Sequence, residues 1–355
     1  MLVAHGLAIA LASGLAFTAV VLALGRPIYR LLGGKGEALE AALAYSNVLF
    51  SGAVLVWIAN TLAAVLRGSG NTLVPALVLV GASLVHIPLS GALTLGWGPF
   101  PGLGIAGAAC AFVVAFAFAA ALAGAWLWRR TALAPRREDV CFAWREFREI
   151  LRVGAISSVS AVQTVLTAVI LTGLVGRFGT AALAGYGVGV RLELLQVPIV
   201  FAIGQALVVL VGTSVGAGRP ARAKRVAFAG AAIAAGVCFA IGASAAVWPR
   251  LWVSLFSEDP AVLEAGAAYL RIVGPFYPFI GVGIALYFAS QGAARVVWPV
   301  LAGTARLALV AGGGFALVAL GAPLAALFAL IALGIVVWGG GTALAVRAAD
   351  WSRPG

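Results

Sequence analysis

Of the eleven acidic residues in this 355-residue chain, only Glu193 falls inside an uninterrupted apolar stretch. Glu37, Glu40, Glu138, Asp139, Glu146, Glu149, Glu258, Asp259, Glu264 and Asp350 fit connecting segments. A charged side chain at the centre of a bilayer costs about 2.5–3.5 kcal/mol on insertion scales, so it usually faces a cavity or a partner. Glu193 is therefore a candidate for loading and releasing a proton or a cation. The competing explanation is a structural ion pair with Arg191 or Arg306. At about 100° per residue, Gln196 shares the face of Glu193 and Arg191 points roughly the other way.

Two further groups of polar side chains recur at helical spacing. Ser157, Ser160, Gln163, Thr164 and Thr167 fit within about 120° of arc, as the wall of a cavity or as hydroxyl-rich glue between helices. The amide of Gln163 favours the cavity, because it needs several partners or water. Tyr269, Tyr277, Tyr287 and Gln291 share a face of another stretch, where aromatic rings offer cation–π contacts to an organic cation. Tyr269 reads as an interfacial anchor, whereas Tyr277 and Tyr287 suit either a cavity or packing. Pro198, Pro275 and Pro278 bend the helices that carry these groups. The candidate set is thus Glu193 for coupling, with Gln163, Thr164, Thr167, Arg191, Gln196, Tyr277, Tyr287 and Gln291 for a cavity. His86 and Arg306 read as satisfied packing residues.

Little else points to chemistry. There are two histidines, and Cys110, Cys141 and Cys238 lie far apart, with no metal-ligand or disulfide spacing. No CxxC, HExxH, GxSxG or P-loop pattern occurs, so neither an enzyme nor a cofactor is expected. The glycines near 68–70 and 216–218 follow no strand and lack the P-loop lysine, which leaves tight turns as their role.

These side chains are positioned by apolar segments. The chain is 63% hydrophobic and only 10% charged, against about 25% charged for soluble domains. The net charge of +12 sits between apolar blocks, which favours a bilayer over nucleic acid as the partner. Residues 1–16 lack a basic n-region and continue as an apolar run, so they belong to a first span rather than a signal peptide. At about 20 apolar residues per span, ten segments emerge: 7–31, 43–66, 72–95, 103–128, 153–176, 187–215, 226–254, 267–290, 297–319 and 322–346. The class is all-α and polytopic.

Alternate loops hold fifteen Lys/Arg residues against five, counting the basic run within 129–152 and Arg219, Arg222, Lys224 and Arg225 on the richer side. The positive-inside rule then puts both termini and that run in the cytosol. The expected organisation is an N-terminal lobe of four spans (1–128), a cytosolic linker (129–152), solvated or forming a short surface helix, and a C-terminal lobe of six spans (153–355).

An offset of 224 brings Leu39-Glu40-Ala41 onto Leu263-Glu264-Ala265, Tyr45 onto Tyr269, Gly68 onto Gly292, Pro75 onto Pro299 and Arg26 onto Arg250. An even number of spans separates the copies, the mark of a parallel repeat in a two-lobed transporter. In this arithmetic the first span pairs with the seventh, and partners of the fifth and sixth are expected before residue 1.

Several of these segments resemble the MATE family, the multidrug and toxic compound extrusion transporters. Gly179-Thr180-Ala181-Ala182-Leu183-Ala184-Gly185-Tyr186 is similar to its G-x-x-A-L-A-A-Y loop, and Arg191-Leu192-Glu193 to its R-[IL]-E. Val211-Gly212-Thr213-Ser214-Val215-Gly216-Ala217-Gly218-Arg219 is similar to V-G-Q-N-x-G-A-G-R, and Leu66-Arg67-Gly68-Ser69-Gly70-Asn71-Thr72 to L-R-G-x-G-x-[TP]. The resemblance implies twelve helices in two pseudo-symmetric lobes. It also implies export of organic cations or drugs against H+ or Na+ by alternating access, from a monomer in the plasma (cytoplasmic) membrane. The family's first helix, which often carries a cation-binding aspartate, has no match in this sequence. A lipid-linked precursor flippase of a related superfamily and an inactive transporter remnant are the alternatives. The first tends to carry several cavity arginines, whereas only Arg191 and Arg306 qualify here.

Overall fold

The computed structural model describes residues 2–31, 35–100, 102–131, 133 and 143–352, and every regular element among them is a helix. In chain order these are α1 (Leu2–Leu31), α2 (Gly36–Ser51), α3 (Ala53–Gly68), α4 (Leu73–Leu95), α5 (Ile105–Arg130), α6 (Trp144–Gly176) and α7 (Thr180–Gly216). There follow α8 (Pro220–Val247), the short α9 (Pro249–Val253), α10 (Pro260–Val273), a 3-10 turn (Gly274–Phe276), α11 (Tyr277–Gly292), α12 (Val297–Ala319) and α13 (Leu324–Ala348). Among the described residues nine helices are long and apolar enough to cross a membrane, counting 260–292 as one, and α2 with α3, bent by 49°, makes a tenth. This is an integral membrane protein.

The chain divides into two compact units, Met1–Ile150 and Leu151–Gly355. In the first, α5 packs against α2, α3 and α4, and α1 lies on α2 and α3. In the second, α11 is central, against α7, α8 and α13, with α10 on α7 and α12 on α13. The side chains follow the solvent. Leu84, Ile87 and Val169 are exposed on apolar faces while His5, Gln196 and Thr342 are fully buried, the inversion expected where lipid replaces water.

The repeat is visible in the helix boundaries. At the 224-residue offset the start of α2 falls on the start of α10, the end of α3 on the end of α11, and both ends of α4 on both ends of α12. The bend at Gly52 falls on Phe276, in the 3-10 turn. There Pro275 and Pro278 lack amide donors, so the helical bonding pattern cannot run through. Packing repeats too: α1 on α3 as α8 on α11, α3 on α5 as α11 on α13, and α4 on α5 as α12 on α13. Among the described residues the first unit holds no counterpart of α6 and α7.

The glycine-rich segments are helix-ending turns, as their sequence suggested. Gly70 and Gly218 take left-handed φ values of 89° and 67°. The next amide bonds back into the helix, Asn71 N to Leu66 O at 3.1 Å and Arg219 N to Ser214 O at 2.9 Å, the pattern of a Schellman turn.

Two of these helices depart from expectation at their starts. The second span starts at Gly36 rather than 43, so Glu37 and Glu40 lie on a helix, and Glu40 pairs with Arg26 at 3.0 Å. Residues 144–152 are no separate surface helix but the first turns of α6, with Arg145 Nε and Glu149 Oε1 3.3 Å apart along it. Ala143 just before α6 donates its amide to His5 Nε2 at 3.0 Å. The remainder of the expected linker, residues 134–142 with Arg136, Arg137, Glu138, Asp139 and Cys141, lies outside the described residues.

Candidate functional site

The second unit contains a buried polar site built on α7. Gly185, Gly189 and Glu193 follow one another at four-residue spacing, so they line one stripe of that helix. The glycines let α10 approach. A Cβ on Gly185 would stand 2.6 Å from Gly266 N, and one on Gly189 would stand 2.2 Å from Tyr269 Cδ1. The ring of Tyr269, 1% exposed, therefore packs against α7 at Gly189, and its hydroxyl donates a hydrogen bond to Glu193 Oε1. Tyr186 and Phe328 brace that ring edge-on, with centroids 5.4 and 5.2 Å away.

Around this pair sit groups whose polar atoms have no partner among the described residues. Gln196, three residues along α7 from Glu193, is 0% exposed with neither side-chain atom hydrogen-bonded, and the Tyr277 hydroxyl is also buried without a partner. Arg306 of α12 lies within electrostatic reach of Glu193. The ion pairs among the described residues, Arg26–Glu40 and Arg145–Glu149, do not include it. The guanidinium instead lies over the indole of Trp338, 5.3 Å from its centroid.

A second polar group lies where α6 meets α12. Gln163 Nε2 donates to Thr304 Oγ1 at 2.7 Å, and Thr304 Oγ1 in turn donates to Val300 O at 3.1 Å. Thr167 is buried and bonds back to Gln163 O at 2.7 Å. Thr164, exposed, bonds to Ser160 O at 2.9 Å. Ser160, Gln163, Thr164, Gly303, Arg306 and Trp338 line a small pocket here.

The sequence candidates thus separate. Glu193, Gln196 and Tyr277 belong to the buried stripe of α7, α10 and α11. Gln163, Thr164 and Thr167 belong to the α6 pocket, and Arg306 stands between the groups. Tyr287 hydroxyl reaches back to Ser157 O at 3.4 Å, and Gln291 is partly buried at the end of α11. Arg191 is on the exposed face of α7 with its guanidinium 4.9 Å from the Phe256 ring, away from Glu193 as the helical projection indicates.

Two readings are corrected. Tyr269 is no interfacial anchor: it is the buried partner of Glu193, and the signal for it was the Gly185–Gly189 stripe that admits a ring. His86 and Arg306 are not fully satisfied, because His86 Nδ1 and Arg306 Nε are buried without hydrogen bonds. Thr304, which fixes Gln163, was not singled out, for a threonine in a span more often bonds its own backbone.

A helical membrane protein with an internal parallel repeat, and a half-buried carboxyl group in one unit, has the architecture that recurs in two-lobed transporters. A model of the MatE family matches residues 2–91 and 156–316, and the chain belongs to that family. It is 26% identical over 290 residues to the probable multidrug resistance protein NorM of Thermotoga maritima, covering 80% of this chain and 62% of that protein. The FAD transporter of Shewanella oneidensis is 26% identical over 285 residues, covering 80% of this chain and 63% of its own. The chain thus spans about three fifths of the length of these curated relatives. Among solved structures, a MATE protein in the bent conformation superposes with a TM-score of 0.88 at 22% identity, covering 97% of this chain and 77% of that one. The straight conformation also gives 0.88, at 21% identity, with coverage of 98% and 77%. These two establish the fold.

Proposed function

We propose that the protein is a secondary active antiporter, exporting organic cations or drugs in exchange for H+ or Na+ by alternating access. The observation that carries this is the carboxyl of Glu193, half-buried within a span, hydrogen-bonded by Tyr269 and unpaired by any cation at contact distance among the described residues. A carboxyl group so placed changes its charge when it takes up a proton, and its oxygens suit Na+. The Tyr269 hydroxyl steadies the ionised form, and the free amide oxygen of Gln196 offers a further ligand or acceptor on the same helix face. Loading and release therefore alter the charge balance with Arg306 inside a low-dielectric unit, which biases one packing of the helices over another.

Small organic molecules as cargo are supported by the relatives named multidrug resistance protein and FAD transporter. The basic residues flanking the spans favour the plasma membrane with both termini cytosolic, and we take the working form as a monomer. In proteoliposomes, an imposed proton or sodium gradient is expected to drive uphill movement of a fluorescent organic cation. Movement that never exceeds the leak of protein-free vesicles, under either gradient, would refute antiport.

A further inference from the structure

We propose that His5 of α1 is a pH-sensitive clasp on the start of α6, closed when the imidazole is neutral and open when it is protonated. The Ala143 amide donates to His5 Nε2 at 3.0 Å, a contact between residues 138 positions apart. The Phe147 ring, one helical turn further on, lies against the imidazole with centroids 4.6 Å apart. His5 is fully buried.

Ala143 caps α6. Its carbonyl accepts from the amides of Glu146 at 3.2 Å and Phe147 at 3.4 Å, while its own amide belongs to a helix start that the helix backbone leaves unsatisfied. In a capping box the glutamate three residues on bonds that amide. Glu146 occupies this position, yet the amide goes to a histidine on another helix. An amide N–H only donates, so Nε2 must be the unprotonated nitrogen and the ring hydrogen sits on Nδ1. Protonation turns Nε2 into a donor and abolishes the bond. It also sets a positive charge at a helix N-terminus, where the peptide dipoles favour a negative one. The clasp is therefore at full strength where imidazole is neutral. It is lost as pH falls through the range of about 8 to 5 in which histidines titrate.

Val3 and Leu7, which flank His5 on α1, pack with Leu62 and Leu66 of α3 and Leu127 of α5. The charged groups on these elements are the partly buried Arg67 of α3 and the exposed Arg129 and Arg130 of α5. α6 brings the partly buried Glu146 and the exposed Arg145, Arg148 and Glu149. On α2, Glu37 and Glu40 lie toward the other end of α1, where Glu40 pairs with Arg26. Carboxylates and guanidinium groups ordinarily keep their charge between about pH 5 and 8, so the imidazole is the group that responds. Residues 144–150 belong to the first unit and the rest of α6 to the second. The clasp thus holds the first turns of a helix that continues into the second unit, and it does so without Glu193. It stands or falls independently of the transport proposal.

The test is hydrogen–deuterium exchange at residues 143–147 of the full-length chain in nanodiscs, at about pH 8 and about pH 5, corrected for the intrinsic pH dependence of exchange. Protection in the wild type is expected to fall about tenfold on acidification. His5→Gln keeps an acceptor near the position of Nε2 and cannot be protonated there, so its protection should not change with pH. His5→Phe removes the acceptor and should be equally unprotected at both values. His86→Gln, which alters the other histidine, should respond as the wild type does. Wild-type protection that is the same at both pH values would overturn the proposal, whether or not the variants fold. A fall in His5→Gln equal to that in the wild type would overturn it as well.

Discussion

Tyr269 reaches Glu193 across 76 residues of sequence because Gly189 has no side chain to stop it. The carboxyl and its phenol donor are thus set by a glycine stripe rather than by any charged neighbour. The geometry makes that stripe testable without touching either polar group.

Gly189→Ala places a Cβ 2.2 Å from the Tyr269 ring, and overpacking of this kind costs about 1–3 kcal/mol. Gly187, on the same helix with nothing within 4 Å of its would-be Cβ, is the control. Thermal unfolding in detergent should show Gly189→Ala well below wild type and Gly187→Ala at or above it. Equal midpoints would mean the ring does not depend on the glycine.

Ala294 is the one non-glycine residue with positive φ among those described, at 54°, and it occupies the repeat position of Gly70 at 89°. A left-handed alanine costs about 1–2 kcal/mol, partly offset by the entropy a glycine loses on folding. Ala294→Gly should therefore stabilise the protein by up to about 1 kcal/mol, read as a raised unfolding temperature. A lowered midpoint would contradict the shared turn geometry.

Thr304→Val removes the acceptor for Gln163 Nε2 and keeps the shape. The loss should be about 0.5–1.5 kcal/mol, and should disappear when Gln163→Leu is already present, since the pair then has nothing left to lose. Additive losses in this cycle would show that the two side chains do not act as a pair.

Orientation follows from charge alone. With Cys110 and Cys238 replaced by serine, a membrane-impermeant maleimide added to intact cells should leave Cys141 unlabelled and label it after permeabilisation. Labelling in intact cells would reverse the topology.

The spans were legible because glycine and proline interrupt apolar runs at 96–102 and 321–323, and the repeat because tyrosine, proline and glycine recur at one offset in a composition that makes such matches rare. Glu193 stood out for the same compositional reason. Its partner did not: a tyrosine near a span end reads as an anchor by residue type, and only the depth of α10 against α7 shows otherwise. The pairing of Gln163 with Thr304 spans 141 positions and leaves no local periodicity to detect. Likewise the first two turns of α6 look like a surface linker by charge, and they are helical because the span behind them propagates the hydrogen-bond ladder at little extra cost.

Glu193→Gln in proteoliposomes tests the central claim most directly, because it preserves shape and removes only the ability to change charge. The variant should still bind a fluorescent organic cation, yet fail to accumulate it when a proton or sodium gradient is imposed, while the wild type accumulates it under the same gradient. Gradient-driven accumulation equal to wild type would remove Glu193 from the coupling step and leave its bond to Tyr269 as packing alone.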